Sequence, residues 1–155
     1  MKILDSTVLI AFLSEMDYPE GLRVLSLRHR LVIPQEVRNE IRRPPSSVRL
    51  QALIDEGVIS VRAVNPSRLK ALRDRFVDLG PGECACIVLY EGKADECVAL
   101  VVTDDKAVRK RLPGCRYVWT RQLVRYMLQR GLIDAQRSEA LMGRLAASTF
   151  YSDRG

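Results

Sequence analysis

Five acidic residues, Asp5, Glu40, Glu83, Asp104 and Asp105, carry the chemistry that this sequence could perform. Asp5 closes a short apolar run in Leu-Asp-Ser-Thr. Asp104 and Asp105 close the most apolar run of the chain, in Val-Val-Thr-Asp-Asp. Glu40 lies in the helical stretch after the second apolar run, and Glu83 follows Gly-Pro-Gly at a helix start. Most of these acids have a purely structural alternative. Asp5 or Ser6 serves as an N-cap, Asp104 and Asp105 as caps of the next helix, and Glu83 as a partner of a helix dipole. Glu40 is harder to explain that way, because it falls mid-helix beside the apolar edge of Val37 and Ile41. Glu36, one turn earlier, is accounted for by the dipole.

Several carboxylates cannot share a small cleft as anions unless cations join them. No sequence-adjacent lysine is placed to pair with each. A hard divalent ion is the economical solution, and a ligand set made only of oxygens selects Mg²⁺ or Mn²⁺. Two such ions about 4 Å apart are common machinery for phosphodiester hydrolysis, activating water and stabilising charge on the attacking and leaving oxygens.

The elements that must position these acids alternate between β-type runs and amphipathic helical stretches. Lys2–Leu4 reads as a strand, with a helix from about Ser6. Arg30–Ile33 reads as a second strand, and Pro34 then opens a helix at its first position. Further helices are expected at Val48–Glu56, ended by Gly57, and at Pro66–Asp78. Ile59–Val64 reads as an outer strand. Gly80-Pro81-Gly82 turns into a helix over Glu83–Glu91. Cys97–Thr103 is the most apolar strand, followed by a short helix over Asp104–Leu112 and a short strand over Arg116–Trp119. Thr120 caps a helix through Gln129, ended by Gly131. Asp134 caps the last helix, which carries Leu141 and Leu145. Continuous rather than alternating apolar strands imply a parallel sheet covered on both faces, hence a three-layer α/β architecture. Ligands gather at the carboxyl ends of the strands of such a sheet, where the acids fall.

At 155 residues, 47% hydrophobic and 28% charged, the chain reads as one globular domain that buries roughly 70% of its unfolded surface without staples. No repeat, low-complexity tract or linker divides it, and residues 132–155 read as a C-terminal helical extension. No apolar run approaches the roughly 20 residues of a membrane helix. Asp5 interrupts the apolar start, which does not read as a signal peptide, so a cytoplasmic protein is expected. Cys84, Cys86, Cys97 and Cys115 form no CxxC, and His29 alone is too few for a common zinc site. Cys84 and Cys86 read as small hydrophobes.

The net charge is +6, and its distribution suggests a polyanionic partner. Residues 106–130 hold eight cations, Lys106, Arg109, Lys110 and Arg111 among them, and no acid. A second cluster comprises Arg38, Arg42, Arg43 and Arg49. Either cluster could be a solvated surface; two on one small domain point to a nucleic-acid backbone. An acidic centre within a basic molecule is what a metal-dependent nuclease needs.

At this point the motifs resemble the PIN-domain nucleases. Ile-Leu-Asp-Ser-Thr-Val-Leu-Ile at 3–10 is similar to their opening motif, and Val-Ile-Pro-Gln-Glu-Val-Arg-Asn-Glu-Ile at 32–41 to their second, with its ligand on Glu40. Gly-Pro-Gly-Glu-Cys-Ala-Cys-Ile at 80–87 resembles the third, and Val-Thr-Asp-Asp-Lys-Ala-Val-Arg at 102–109 the fourth. The resemblance covers about residues 2–130 and is nearest to the short, toxin-like PIN proteins of archaea and bacteria. It implies an α/β/α sandwich with a central parallel sheet and a Mg²⁺- or Mn²⁺-dependent ribonuclease. Asp5, Glu40, Glu83 and Asp105 would be the catalytic ligands, Asp104 an auxiliary one, and Ser6 and Thr103 orienting partners. It also implies a homodimer and, for many members, the toxin of a toxin–antitoxin pair with an antitoxin protein as partner. Glu83 stands where many members have Asp, and its longer arm alters the metal distance.

Two rival readings remain. A PIN fold without catalysis would serve as an RNA- or protein-binding module. Asp5-Ser6-Thr7-Val8 also superficially matches the haloacid-dehalogenase phosphatases, but Thr7 occupies the place of their second acid.

Overall fold

The computed structural model describes residues 1–92, 100–111 and 114–148. Five short strands form one all-parallel sheet in the order β3-β2-β1-β4-β5: β1 (Lys2–Leu4), β2 (Leu31–Pro34), β3 (Ile59–Arg62), β4 (Leu100–Val102) and β5 (Tyr117–Val118). The three-layer α/β/α fold follows from the connections. Parallel neighbours need crossover helices, and these cover the sheet. The central strands β1, β2 and β4 are almost wholly buried, as continuous apolar runs require. The outer strand expected over Ile59–Val64 is an edge strand that ends two residues earlier, at Arg62.

Helix α1 (Ser6–Ile10) runs directly into a π-helical turn, Ala11–Glu15. The single helix expected from Ser6 therefore breaks. Asp17 takes a positive φ of 49°, and Pro19, which has no N–H to continue the helix, starts α2 (Pro19–Ser26) at its first position. The arrangement seals the core: Phe12, Leu13, Met16, Leu22 and Leu25 are fully buried.

Pro34 does not open a helix. Its extended ψ of 158° keeps it in β2, paired with Arg62, and α3 (Gln35–Glu40) starts one residue later. Helix α3 also stops early, because Ile41 leaves helical geometry at ψ 83°. Glu40 is thus the last helical residue rather than a mid-helix one. Helix α4 is Ser46–Asp55, followed by Gly57 at φ 74°. Helix α5 is Pro66–Arg75, capped by the Asn65 carboxamide, which accepts from Arg68 N at 3.1 Å.

Helix α6 (Pro81–Glu91) begins two residues before the expected start, which puts Glu83 at its third position. Of the expected strand Cys97–Thr103, residues 97–99 lie outside the described residues, and Thr103 lies just past β4. Helix α7 is Lys106–Arg111; Leu112 also lies outside the described residues. Helix α8 (Thr120–Gln129) is capped by Trp119 and not by Thr120: the Trp119 N–H donates to Gln122 Oε1 at 2.9 Å. Helix α9 (Ala135–Ala147) is capped by Asp134 and buries Leu141 and Leu145. Residues 149–155 of the expected extension lie outside the described residues. Among the described residues, no helix is long and apolar enough to cross a membrane.

A candidate acidic centre at the carboxyl edge of the sheet

Asp5 is placed where β1 hands over to α1, so it both ends the strand and caps the helix. Of the two residues expected as the helix N-cap, Asp5 and not Ser6 takes the position. Its carboxylate is 1% exposed and fully engaged. Oδ1 accepts from Ser6 N at 2.7 Å and, at a long 3.4 Å, from the Ser6 hydroxyl. Oδ2 accepts from Thr103 Oγ1 at 2.9 Å and from Thr7 Oγ1 at 3.1 Å. These donors favour the anion. Burial outweighs them and pushes the Asp5 pKa up to about 6, with the Glu40 charge adding to the rise.

The strand register supplies the second contributor. β4 pairs with β1 from Lys2–Leu100 to Leu4–Val102, so Thr103 and Asp105 emerge beside Asp5. Thr103 is completely buried. Its hydroxyl donates to Asp5 and accepts the Asp105 N–H at 3.1 Å, tying the two acids through one oxygen. Asp105 Oδ1 accepts from Ala107 N at 2.7 Å, so it also caps α7.

Helix α6 brings in the two glutamates. Glu83 Oε2 accepts from Gly80 N at 2.7 Å, and Glu40 Oε1 accepts from Gly82 N at 2.8 Å. Gly82 is needed for the second contact: a Cβ there would stand 2.5 Å from Glu40 Oε1. Glu83 has its pKa raised well above the usual carboxylate range. Burial is the largest cause, followed by a hydrogen bond shared with the Asp105 carboxyl and by the charges of Asp5 and Asp105. Glu40, at the helix end, is exposed and borders a cleft of about 530 Å³ that Arg42 and Arg43 also line.

Asp104 faces another way. Its Oδ1 accepts from Thr120 N at 2.9 Å and its Oδ2 from Thr120 Oγ1 at 2.5 Å, while its own N–H donates to Thr7 Oγ1. Asp104 therefore anchors the start of α8, and Asp105 is the acid that meets Glu83.

Asp5, Glu40, Glu83 and Asp105 thus act on one another electrostatically, and among the described residues no Lys or Arg forms an ion pair with any of them. As the side chains stand, no three carboxylates of the described residues surround one point closely enough to hold a metal. The donor set still fits a hard dication. The candidate ligands are all carboxylate oxygens, neighbouring acids add to the burial that raises the Asp5 and Glu83 pKa values, and Glu40 and Glu83 each keep one oxygen off the backbone.

The basic residues are distributed unevenly around this edge. Arg38 donates to Gln51, Arg42 to the Asn39 carbonyl, and Arg43 is exposed. Lys106 and Lys110 are exposed, whereas Arg111 is paired with Asp78 at 3.0 Å. Arg109 lies within electrostatic reach of Asp104 and Asp105, and its guanidinium stacks on Trp119, 3.3 Å from the ring centroid. Sequence reading missed Thr7, Thr120, Gly82 and Trp119. The signal for Thr7 was available, since a hydroxyl two residues after an acid at a strand-to-helix junction is placed to turn back on it. The pairing of Thr120 with Asp104 had no local signal.

A parallel α/β sheet with convergent acids on its carboxyl edge defines a class of proteins in which ligands bind at that edge. Residues 1–155 match the family model DUF3368, a PIN domain. The chain belongs to the PIN-domain family, a nuclease-like fold. No curated protein matches it.

Proposed function

We propose that this protein is a Mg²⁺- or Mn²⁺-dependent ribonuclease that hydrolyses RNA phosphodiester bonds at the Asp5–Glu40–Glu83–Asp105 centre. The observation that carries the reading is the convergence of four carboxylates at the ligand-binding edge of the sheet, Asp5 acting on Glu40 and Glu83 and Glu83 on Asp105, without an ion-paired cation among the described residues. A bound divalent ion would supply charge neutralisation for the phosphate and a more acidic water. The chain's own residues do the rest. Thr103, Thr7 and Ser6 hold Asp5 in one orientation, and Gly82 N–H steadies Glu40. The cleft beside Glu40 gives the RNA backbone an approach past Arg42 and Arg43. Lys106, Arg109 and Lys110 flank Asp105 from α7 and extend the basic track. Arg38 belongs to the same track through α3. Arg111 contributes less, being paired with Asp78.

The wider setting follows from the family resemblance. The protein acts in the cytoplasm as a homodimer and as the toxin of a toxin–antitoxin pair, restrained by an antitoxin protein. The free thiols of Cys84, Cys86 and Cys115 accord with a reducing compartment.

Cleavage of a mixed-sequence RNA with Mn²⁺ tests the reading. Asp5→Asn and Glu40→Gln are each expected to lower the rate by more than about 100-fold, the upper end for changes that touch only a ligand's hydrogen-bond partners. RNA binding that survives these changes, with no cleavage by the wild type at any Mn²⁺ concentration, would instead identify a binding module. Binding is also expected to weaken steeply with salt, as phosphate contacts require.

A further inference from the structure

We propose that Glu15 reads a guanine base of the RNA in the cleft beside Glu40, so that cleavage falls next to guanosine. The inference rests on the ribonuclease reading and adds a base preference to it.

The cleft of about 530 Å³ has room for one nucleotide. Two stretches of chain line it. Ile10 and Glu15 come from the stretch after β1, and Glu40, Arg42 and Arg43 from the stretch after β2, so the cleft opens directly onto the acidic centre. Glu15 is the last residue of the π-helical turn Ala11–Glu15, a kind of turn that recurs at functional sites. That turn is held in one shape from outside. Arg49 of α4 donates to the Leu13 carbonyl at 2.5 Å and ion-pairs with Asp17 at 2.7 Å, while Arg144 of α9 donates to the Met16 carbonyl at 2.6 Å. Ser148, just past α9, gives its hydroxyl to Glu15 Oε2.

Helix stability does not explain an acid at this position. The carboxyl end of a helix carries partial negative charge, which favours cations such as Arg49 and Arg144 and disfavours Glu15. Among the described residues no Lys or Arg forms an ion pair with Glu15. Ser148 orients the half-buried carboxylate but occupies only one of its acceptor positions. An oriented carboxylate with unused acceptors, in a cleft sized for a nucleotide, selects a base by its donors. Guanine presents two adjacent donors, N1–H and the N2 amino group, on its Watson–Crick edge. Adenine and cytosine set a ring-nitrogen acceptor beside their amino group. Uracil flanks its single N–H with carbonyls. Each of these three turns a lone pair toward the carboxylate, and only guanine gives it a matched pair of hydrogen bonds. Arg42 and Arg43, lining the same cleft, supply positive charge for the phosphate of that nucleotide.

The test uses the full-length protein in EDTA and labelled uridine dodecamers that carry a single guanosine, adenosine or inosine at the centre, with binding read by anisotropy. The guanosine oligomer is expected to bind about tenfold tighter than the adenosine one, the usual scale for a bidentate base contact. Inosine keeps N1–H but lacks the N2 amino group, and should fall between them. Glu15→Gln keeps an acceptor for Ser148 and sets an amide donor against the guanine donors, so the guanosine-to-adenosine ratio should fall close to one. Glu15→Ala should bring the ratio to the same value. A residue that only held the turn would lower both affinities together and leave the ratio as it was. The proposal is overturned if the wild type binds the three oligomers equally, if it binds none of them, or if either variant keeps the preference. Failure of the underlying reading is seen separately, in cleavage with Mn²⁺. A wild type that cleaves none of the oligomers sinks the ribonuclease, whereas one that cleaves them all without preference sinks only the guanine pocket.

Discussion

Strand β1 carries a buried ionisable group at each end, and the two are treated oppositely. At the amino end, Lys2 is buried with its ammonium 5.1 Å above the Tyr126 ring. The Tyr126 hydroxyl meets His29 Nε2 at 2.6 Å, and Arg130 sits 5.5 Å from the same ring. Burial lowers the pKa of Lys2, and burial and then Lys2 lower that of His29. At the carboxyl end, burial raises the pKa of Asp5. Both ends therefore favour the neutral forms. The difference lies in what faces each group. The cations have an aromatic face to rest on, which offsets part of their desolvation. The acids have one another. A shifted pKa is thus not by itself a mark of function; at the carboxyl end the pointer is that acids from separate elements converge with no aromatic face to rest on.

The strongest way to sharpen this contrast is through pH. A carboxyl whose folded pKa is raised contributes stability that is complete below its unfolded pKa and is lost as pH rises through the folded one. For Asp5 the window runs from 3.8 to about 6, a loss of roughly 3 kcal/mol. Glu83, also raised, extends the loss to higher pH. Denaturant titrations in EDTA should show this fall as the difference between wild type and Asp5→Asn. That comparison cancels Glu56 and Asp78, whose pKa values arginines lower and which act in the opposite direction. Mn²⁺ should restore the lost stability at pH 8 and have little effect at pH 4. A wild type that gains on Asp5→Asn across the window would break the contrast.

A second prediction divides the adjacent acids. Asp105→Asn should weaken Mn²⁺ binding, read by titration calorimetry, by about tenfold or more. Asp104→Ala should leave Mn²⁺ affinity within about twofold but cost about 1–3 kcal/mol, because Thr120 loses both of its bonds. Reversal of the two effects would make Asp104 the ligand. A third concerns Gly82. Gly82→Ala pushes a Cβ against the end of the flexible Glu40 side chain, so cleavage should fall several-fold while the melting temperature holds or rises. The smallest effect belongs to the other end of β1. Tyr126→Phe removes the hydroxyl bonded to His29 and should cost about 1 kcal/mol with no change in cleavage. A loss of activity there would show that the amino end takes part in function.

Much of this was legible in the residue order. The parallel sheet could be read because strands covered on both faces need unbroken apolar runs, as in Leu31–Ile33 and Leu100–Val102. Asp5, Glu83 and Asp105 could be read because strand ends and helix starts are local events, marked by Asp-Ser-Thr, Gly-Pro-Gly-Glu and Thr-Asp-Asp, whereas Glu40 stood out only by its place beside Val37 and Ile41, and its position at the end of α3 was not legible. Element ends were less legible. Pro34 is suited equally to a strand end and to a first helical turn, and only its pairing with Arg62 separates the two. Ile41 ends α3 through a backbone turn that its apolar side chain does not announce.

Residue types and spacing were enough to mark the candidate acids and the strands that carry them, since both depend on neighbours in the chain. Which aspartate turns inward, that Gly82 must be bare for Glu40, and that Trp119 meets Arg109 beside the acids depend on atoms that only register and packing bring within a few ångströms. Contacts between residues so far apart in the chain leave no local pattern, and folding alone selects them.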